Sequence, residues 1–334
     1  MPALIRRTET QVVSIGPHQL RNGILLAPMA GITDAPFREL AWRFGAGYVV
    51  SEMVSAKSDL WNTDKSRLRR QRVAGARPFV VQIAGGDPET IAEGASRHWR
   101  SGAEIIDINF GCPAKKVCRK AAGSQLLKDE KLVARIARAA VRAVPVPVTV
   151  KMRTGWSLEL KNGARIARIL EGEGIAAIVV HGRTRACRFK GTAEYDTVAE
   201  IKSMLSIPVF ANGDINSQEN AQAVLDYTRA DGVMIGRAAL GAPWLLGQIA
   251  SGCSSEPSIE EKLGIMLEHV ASLHRFYGDP GVRIARKHVQ WYLTRMKHDP
   301  LEENLREELR VFNKLEDAPA QLAHLLALGG KKAA

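Results

Sequence analysis

The chain has 334 residues, of which 46% are hydrophobic, 25% charged and 6% aromatic, a composition that excludes a disordered chain and a collagen-like repeat. Forty-seven Lys and Arg against 35 Asp and Glu give a formal charge of +12, which admits anionic partners without requiring them. Cysteines at 112, 118, 187 and 253 make no CxxC pair, so neither a zinc knuckle nor a disulfide scaffold is expected, and a reducing compartment is.

Taken in chain order, the first residues, MPALIRRTETQVV, lack the apolar core and cleavage signal of a leader. No run of about 18 apolar residues follows, so no transmembrane helix is expected. Residues 11–22, with Gly16-Pro17 between two short runs, read as a hairpin closing the bottom of what comes next. Short β-branched apolar runs then recur at 24–27, 48–51, 79–83, 105–108, 146–151, 177–181, 209–211 and 232–235. Continuous runs of this length predict strands buried on both faces, as in a parallel sheet. The segments between them carry helical apolar spacing, such as Leu132, Ile136, Ala139 and Ala140. Eight strand–helix repeats predict an α/β fold, a (β/α)8 TIM barrel over residues 1–244. The competing open, doubly wound sheet usually has fewer strands and a glycine-rich first turn, and APMAG is not GxGxxG. After Trp244 the period is helical at 258–277, 281–298 and 301–328, with breaks at Gly278-Asp279-Pro280 and Asp299-Pro300. A C-terminal helical domain over 245–334 is expected, its boundary near 252–257.

The charge is unevenly placed. Residues 241–334 carry twelve cationic and twelve acidic side chains, so the excess lies in the barrel. It clusters at 57–77 (seven Lys/Arg, two Asp), 115–120 (KKVCRK) and 183–190 (RTRACRFK).

Active sites of this fold form at the C-terminal ends of the strands. The polar residues there are Glu52, Gln82, Asn109, Cys112, Lys151, Arg153, His181, Arg183, Asn212-Gly213-Asp214 and Gly236-Arg237, with Pro28-Met29-Ala30 after the first strand. The last two polar loops follow strands 7 and 8, the usual phosphate site. Their glycines let backbone N–H groups approach an anion, and Arg237 adds a charged fork. Lys151, on an inward strand, needs an anion nearby; Glu52 or Asp107 would meet that need without any ligand. With His181, one repeat later, it suits an anionic ring or phosphate, and Gln82 offers an amide to a heterocycle. Cys112 lies in NFGCPAKK, a polar loop at the barrel mouth. A thiol near its reference pKa donates a proton, whereas neighbouring lysines favour a thiolate nucleophile. Spacing does not choose between the two.

APMAGITDAPFR, SEM, QIAGGDP, IDINFGCPAKKV, KMRTGW, HGRTR, ANGDI and MIGRAALGAPW occur in this order. Together they resemble the tRNA-dihydrouridine synthase family, most closely its bacterial DusB-like branch, over residues 20–320. The stretch FYGDPGVRIARKHVQWYL resembles that branch's helical domain. The resemblance implies an FMN-dependent cytoplasmic enzyme that reduces uridines of tRNA to dihydrouridine with NADPH, with position 17 suspected. It implies that Pro28, Met29 and Ala30 line FMN, and that Gln82, Lys151 and His181 contact its ring or ribityl chain. Asn212, Gly213, Asp214, Gly236 and Arg237 then match the family's phosphate and ribityl loops. Cys112 becomes the proton donor to uracil C5, opposite the hydride at C6. Asn109 and Arg153 would hold the uracil of a flipped nucleotide. Arg183 and the basic loops lie where the RNA backbone would pass, and Arg286 and Lys287 would give the helical tail its RNA contact. No metal is implied, and a monomer suffices. Two rivals share parts of this pattern: an FMN barrel reducing a free metabolite, and a non-catalytic RNA-binding regulator on a retired scaffold.

Overall fold

In the computed structural model, which describes residues 13–118 and 122–296, eight parallel strands curl into a barrel. They are β1 (Ile24–Leu26), β2 (Tyr48–Val49, resuming as Val54–Ser55), β3 (Val80–Ala84), β4 (Ile105–Phe110), β5 (Val148–Arg153), β6 (Ala177–His181), β7 (Val209–Asn212) and β8 (Gly232–Ile235). Each pairs with its neighbours in order, and β8 returns to β1 through Ile235↔Leu26. The ring closes across β2. A bridge joins Val50 to Val80 and the resumed segment pairs Val54 with Ile83. The sequence predicts an unbroken run over 48–51. Its ladder is interrupted because Ser51 Oγ accepts the N–H of Gln82 at 3.0 Å, a side chain standing in for a strand carbonyl.

Runs that look uniformly apolar in sequence alternate in space. Leu25, Tyr48, Val80, Ile105, Val179, Phe210 and Met234 fill the barrel interior, while Leu26, Val49, Val81, Ile106, Val180, Ala211 and Val233 face the helices. The expected hairpin is present: Ser14–Ile15 pairs antiparallel with His18–Gln19. Its Val13 and Ile15 join the interior cluster, and Gly16 sits against Pro147 at the start of β5.

The outer helices are α1 (Ala35–Arg43), α2 (Asp64–Arg69), α3 (Pro88–Arg100), α4 (Glu130–Ala143), α5 (Gly163–Gly172), α6 (Asp196–Met204), α7 (Gln218–Thr228) and α8 (Leu245–Ser251). Several start on side-chain caps, Asp87 on Thr90 N–H at 2.8 Å and Asp129 on Leu132 N–H at 2.9 Å, which satisfy otherwise orphaned donors. Two longer helices follow, α9 (Ile259–Tyr277) and α10 (Asp279–Arg295). Ser258 and Glu261 form a capping box on α9. Gly278, at φ +68°, makes the break, whereas Asp279 and Pro280, expected to belong to it, open α10. Proline is well placed there because a first-turn N–H has no intrahelical partner to lose. The pair buries Met266, Leu273, Val282, Ala285, Val289 and Tyr292 in the same apolar cluster as Phe37 of α1. The helix expected over 301–328 lies outside the described residues.

Three polar ties bind this pair to the barrel's first strand unit. Arg43 Nη2 donates to Glu268 Oε2 at 2.7 Å. Tyr277 Oη donates to Asp34 Oδ2 at 3.2 Å. Lys287 Nζ donates to the carbonyl of Gly31, in the loop that follows β1.

Among the described residues no helix is long and apolar enough to cross a membrane. Nor does any group of three or more His, Cys, Asp and Glu side chains stand where it could hold a metal ion.

Candidate active site

A cavity of about 870 Å³ opens at the C-terminal ends of the strands. Every residue singled out from the sequence lines it except Glu52, Arg183, Arg286 and Lys287. Its walls are apolar near Pro28, Met29, Ala30 and Met53, and cationic near Lys151, Arg153 and Arg237.

A chain of directed hydrogen bonds crosses the barrel beneath it. Asp107, 3% exposed, accepts from Thr149 Oγ1 at 2.7 Å and from Gln82 Nε2 at 2.7 Å. Burial pushes its carboxyl up to about 6. Because a carboxylate accepts only, it turns the Gln82 amide so that Oε1 faces the other way. That oxygen takes Asn109 Nδ2 at 2.9 Å. Asn109 Oδ1 is thereby aimed at the N–H groups of Gly111 and Cys112, at 3.2 and 2.8 Å. Asn109, the β4 residue beside Lys151 of β5, thus pins the backbone of Cys112.

The Cys112 carbonyl is held as well, by Ser124 Oγ at 2.8 Å. Burial pushes the Cys112 thiol up, against the lowering effects of a backbone hydrogen bond at Ala114 and the Arg153 and Lys151 charges. The thiol therefore stays protonated at neutral pH, which favours a proton donor over a nucleophile, the alternative that spacing left open.

Lys151 Nζ donates to Asn212 Oδ1 at 2.8 Å, rather than to Glu52 or Asp107, and Asn212 Nδ2 is fixed on the Met234 carbonyl at 2.7 Å. Burial, then the Arg153 charge, pulls the ammonium down to about 7. Burial, followed by the charges of Lys151, Arg153, Arg183 and Arg237, holds His181 well below its ordinary value, so its imidazole is neutral. Gly213, at φ +123°, lies so close to this ring that a Cβ would come within 2.9 Å of His181 Cδ2. Only glycine fits.

Two arginines act on loops. Arg153, 2% exposed, donates to the carbonyls of Gly111, Thr184 and Arg188 at 2.8, 3.0 and 2.8 Å. Arg183 lies behind the cavity wall and forks onto Asp214, Nη1 to Oδ1 at 2.9 Å and Nη2 to Oδ2 at 2.5 Å. It also donates to the carbonyls of Lys190 and Gly191. Asp214 accepts from Arg237 too, at 3.2 Å. The loops after β6, β7 and β8 are locked together by these contacts. Of the basic stretch 115–120, Arg119 and Lys120 lie outside the described residues. Arg286 is exposed on α10, and Lys287 is engaged on Gly31.

Sequence reasoning did not place three residues at the mouth, although Trp291 and Arg295 stand in the basic, aromatic stretch 283–297 that offers itself to RNA. Phe189, 54% exposed, has Arg237 and Arg153 over its ring at 5.1 and 5.5 Å. Trp291 and Arg295 of α10 line the same cavity. An aromatic inside RTRACRFK was a usable signal for Phe189. Nothing marked Trp291 as a cavity residue, since neighbouring Tyr292 is core.

A dihydrouridine synthase family model matches residues 25–328. The tRNA-dihydrouridine synthase B of Pseudomonas syringae pv. tomato is 54% identical over 319 residues, 94% of this chain and 93% of that protein. Its namesake in Salmonella typhimurium is 51% identical over 319 residues, covering 94% and 98%. That in Pasteurella multocida is 50% identical over 317 residues, covering 93% and 94%. Among solved structures, the 6-hydroxypseudooxynicotine amine oxidase of Pseudomonas geniculata N1 matches with a TM-score of 0.56 at 16% identity. The match covers 73% of this chain and about half (49%) of that one, a likeness of fold alone.

Proposed function

We propose, from the premise that this chain belongs to the dihydrouridine synthase family, that it reduces uridines of tRNA to 5,6-dihydrouridine, with FMN in the barrel-mouth cavity and NADPH as electron source. The observation that carries this reading is a protonated thiol, pinned at both backbone ends, in one cavity with a cationic floor and apolar walls.

The donor set suits a flat, amphiphilic anion such as FMN. Lys151 and Arg237 supply positive charge, Pro28, Met29 and Ala30 an apolar face, and Gln82 and neutral His181 hydrogen-bonding groups for the ring or ribityl chain. Asn212, Gly213, Asp214 and Gly236 form the turns suited to its phosphate and ribityl chain. When bound, FMN supplies the hydride that goes to uracil C6. Cys112 delivers its thiol proton to C5, and Asn109 holds the backbone from which that thiol projects. Lys151 places charge against an electron-rich ring. Asn109 and Arg153 bound the space for the uracil, and the base has to leave its stack to enter.

In this reading residues 1–244 form the FMN-binding catalytic barrel, with α8 packed on it as its last outer helix, and the remainder of 245–334 forms the tRNA-binding domain, with Arg286 on its exposed face. The enzyme works in the cytoplasm as a monomer and uses no metal.

Cys112→Ala tests the assignment. Flavin absorbance and NADPH oxidation should persist while dihydrouridine formed in tRNA falls at least about 100-fold. Full activity of that variant would refute Cys112 as the acid. Reoxidation of reduced enzyme by free uracil or orotate, but not by tRNA, would refute the substrate.

A further inference from the structure

The flank of the barrel between α2 and α3 holds a second cavity, of about 230 Å³, which shares no lining residue with the first. Arg67, Arg70 and Arg72 border it, with Phe79, His98 and Ser101. Three guanidinium groups around one small cavity repel one another unless an anion joins them. The carboxylates present do not fill that role.

Arg67 pairs with Asp64 at 2.8 Å, but both side chains are more than two-thirds exposed, at 67% and 82%, so the pair is worth little and either partner is free to turn away. Arg72 stands 3.6 Å from Glu104. That carboxylate is already taken by Arg77 and by the N–H of Phe79 at 2.6 Å. Arg70 has no carboxylate within ion-pair distance among the described residues. It donates only to the Trp61 carbonyl at 2.8 Å, and its guanidinium lies over the Trp61 ring at 3.8 Å, which fixes the fork in place.

A second observation points the same way. His98 is 2% exposed, and its Nε2 has no hydrogen-bond partner among the described residues. Its ring is held against Trp61 at 4.5 Å. A buried ring nitrogen without a partner is unfavourable by about 1–3 kcal/mol, and His98 is among the residues that line the cavity the arginines border. Several planar forks bordering one small cavity suit a tetrahedral oxyanion better than a single carboxylate.

We propose that this flank cavity is a phosphate-binding site, and that its occupant during the reaction is a backbone phosphate of the RNA substrate. The choice of RNA rests on the function proposed above. It is favoured by the setting, the stretch 57–77 with seven Lys and Arg against two Asp, where phosphate contacts add affinity whatever the sequence. The site would grip the tRNA away from the flipped uridine and set its orientation on the barrel.

The test compares the flavin-loaded enzyme with R67Q/R72Q, whose altered side chains are exposed, and with R70Q. Melting is followed in orthophosphate against chloride at matched ionic strength, and tRNA binding is measured between 50 and 200 mM salt. Orthophosphate should raise the melting temperature of the parent and not of the variants. The slope of log affinity against log salt for tRNA should fall by about 1 in R70Q, with affinity several-fold weaker and NADPH oxidation unchanged. Loss of the orthophosphate response with tRNA binding intact would overturn RNA as the occupant and leave a site for a small phosphate. No orthophosphate response in the parent, with unchanged tRNA binding in the variants, would overturn the site altogether. A parent enzyme that fails to bind tRNA would refute the substrate reading instead, and the orthophosphate comparison would still decide the site. If R70Q fails to fold, R67Q/R72Q carries both measurements.

Discussion

Replacing Lys151 by Met should make the flavin-free protein more stable and the enzyme worse. The ammonium of Lys151 is depressed from 10.5 to about 7 in the fold. Each pKa unit corresponds to about 1.4 kcal/mol, so the displacement sets a ceiling near 5 kcal/mol on the penalty for keeping this lysine charged. Lys151 lines an open cavity, where water screens the charge, and Met loses the bond to Asn212 Oδ1. A net gain of about 1–2 kcal/mol is expected, or roughly 2–6 °C in melting temperature. The pH dependence follows from the direction of the shift. A lysine with a lowered folded-state pKa binds fewer protons in the native than in the unfolded state, so its contribution to stability rises with pH between about 7 and 10.5. The advantage of Lys151→Met should be largest below pH 7 and close towards pH 10. Circular-dichroism melts of flavin-free protein at pH 6, 8 and 9.5 measure this, beside a flavin titration in which the variant binds more weakly. A variant less stable than the parent at pH 6, or a gap that does not shrink with pH, would show that the charge is not held at a cost.

Gly213→Ala would put a methyl 2.8 Å from Ala193 Cβ and 2.9 Å from His181 Cδ2, at φ +123°. Strain of about 1–3 kcal/mol should displace the imidazole and weaken flavin binding about tenfold or more, read by absorbance titration; unchanged affinity would remove this turn from the cofactor site. Arg286→Glu should weaken tRNA binding in a filter assay and spare NADPH oxidation, while Lys287→Glu should also release Gly31 and lower flavin affinity. Equal behaviour of the two variants would mean that the Lys287 tie does not reach the cavity.

The barrel was legible because each β-branched run is short and spaced like its neighbours, and most of the polar residues at the strand ends do line one cavity. The faces of those runs were not, since both sides of a barrel strand are apolar and Leu25 differs from Leu26 only in what surrounds it. The interruption of β2 depends on one hydroxyl, Ser51 Oγ, reaching across to Gln82. Arg153 and Arg183 were legible as charges at the strand ends, but not their partners in the fold, mostly carbonyls of Gly111, Thr184, Arg188, Lys190 and Gly191, which every residue possesses and no sequence pattern marks. Trp291 was hidden because a helix period assigns it to a side of α10 without saying which neighbour that side meets.

The tie between Lys287 and Gly31 joins positions 256 residues apart. At about 5–20 residues per second of synthesis, the loop after β1 leaves the ribosome roughly 13–50 s before the lysine that holds it. The barrel ring itself cannot close until β8 has followed β1, and the wall made by Trp291 and Arg295 comes later still. A nascent chain therefore carries an unfinished cavity for most of its translation, and its rim is complete only once α10 has emerged. A frameshift or stop near residue 250 would leave all eight strands of the ring but a rim without Trp291 and Arg295.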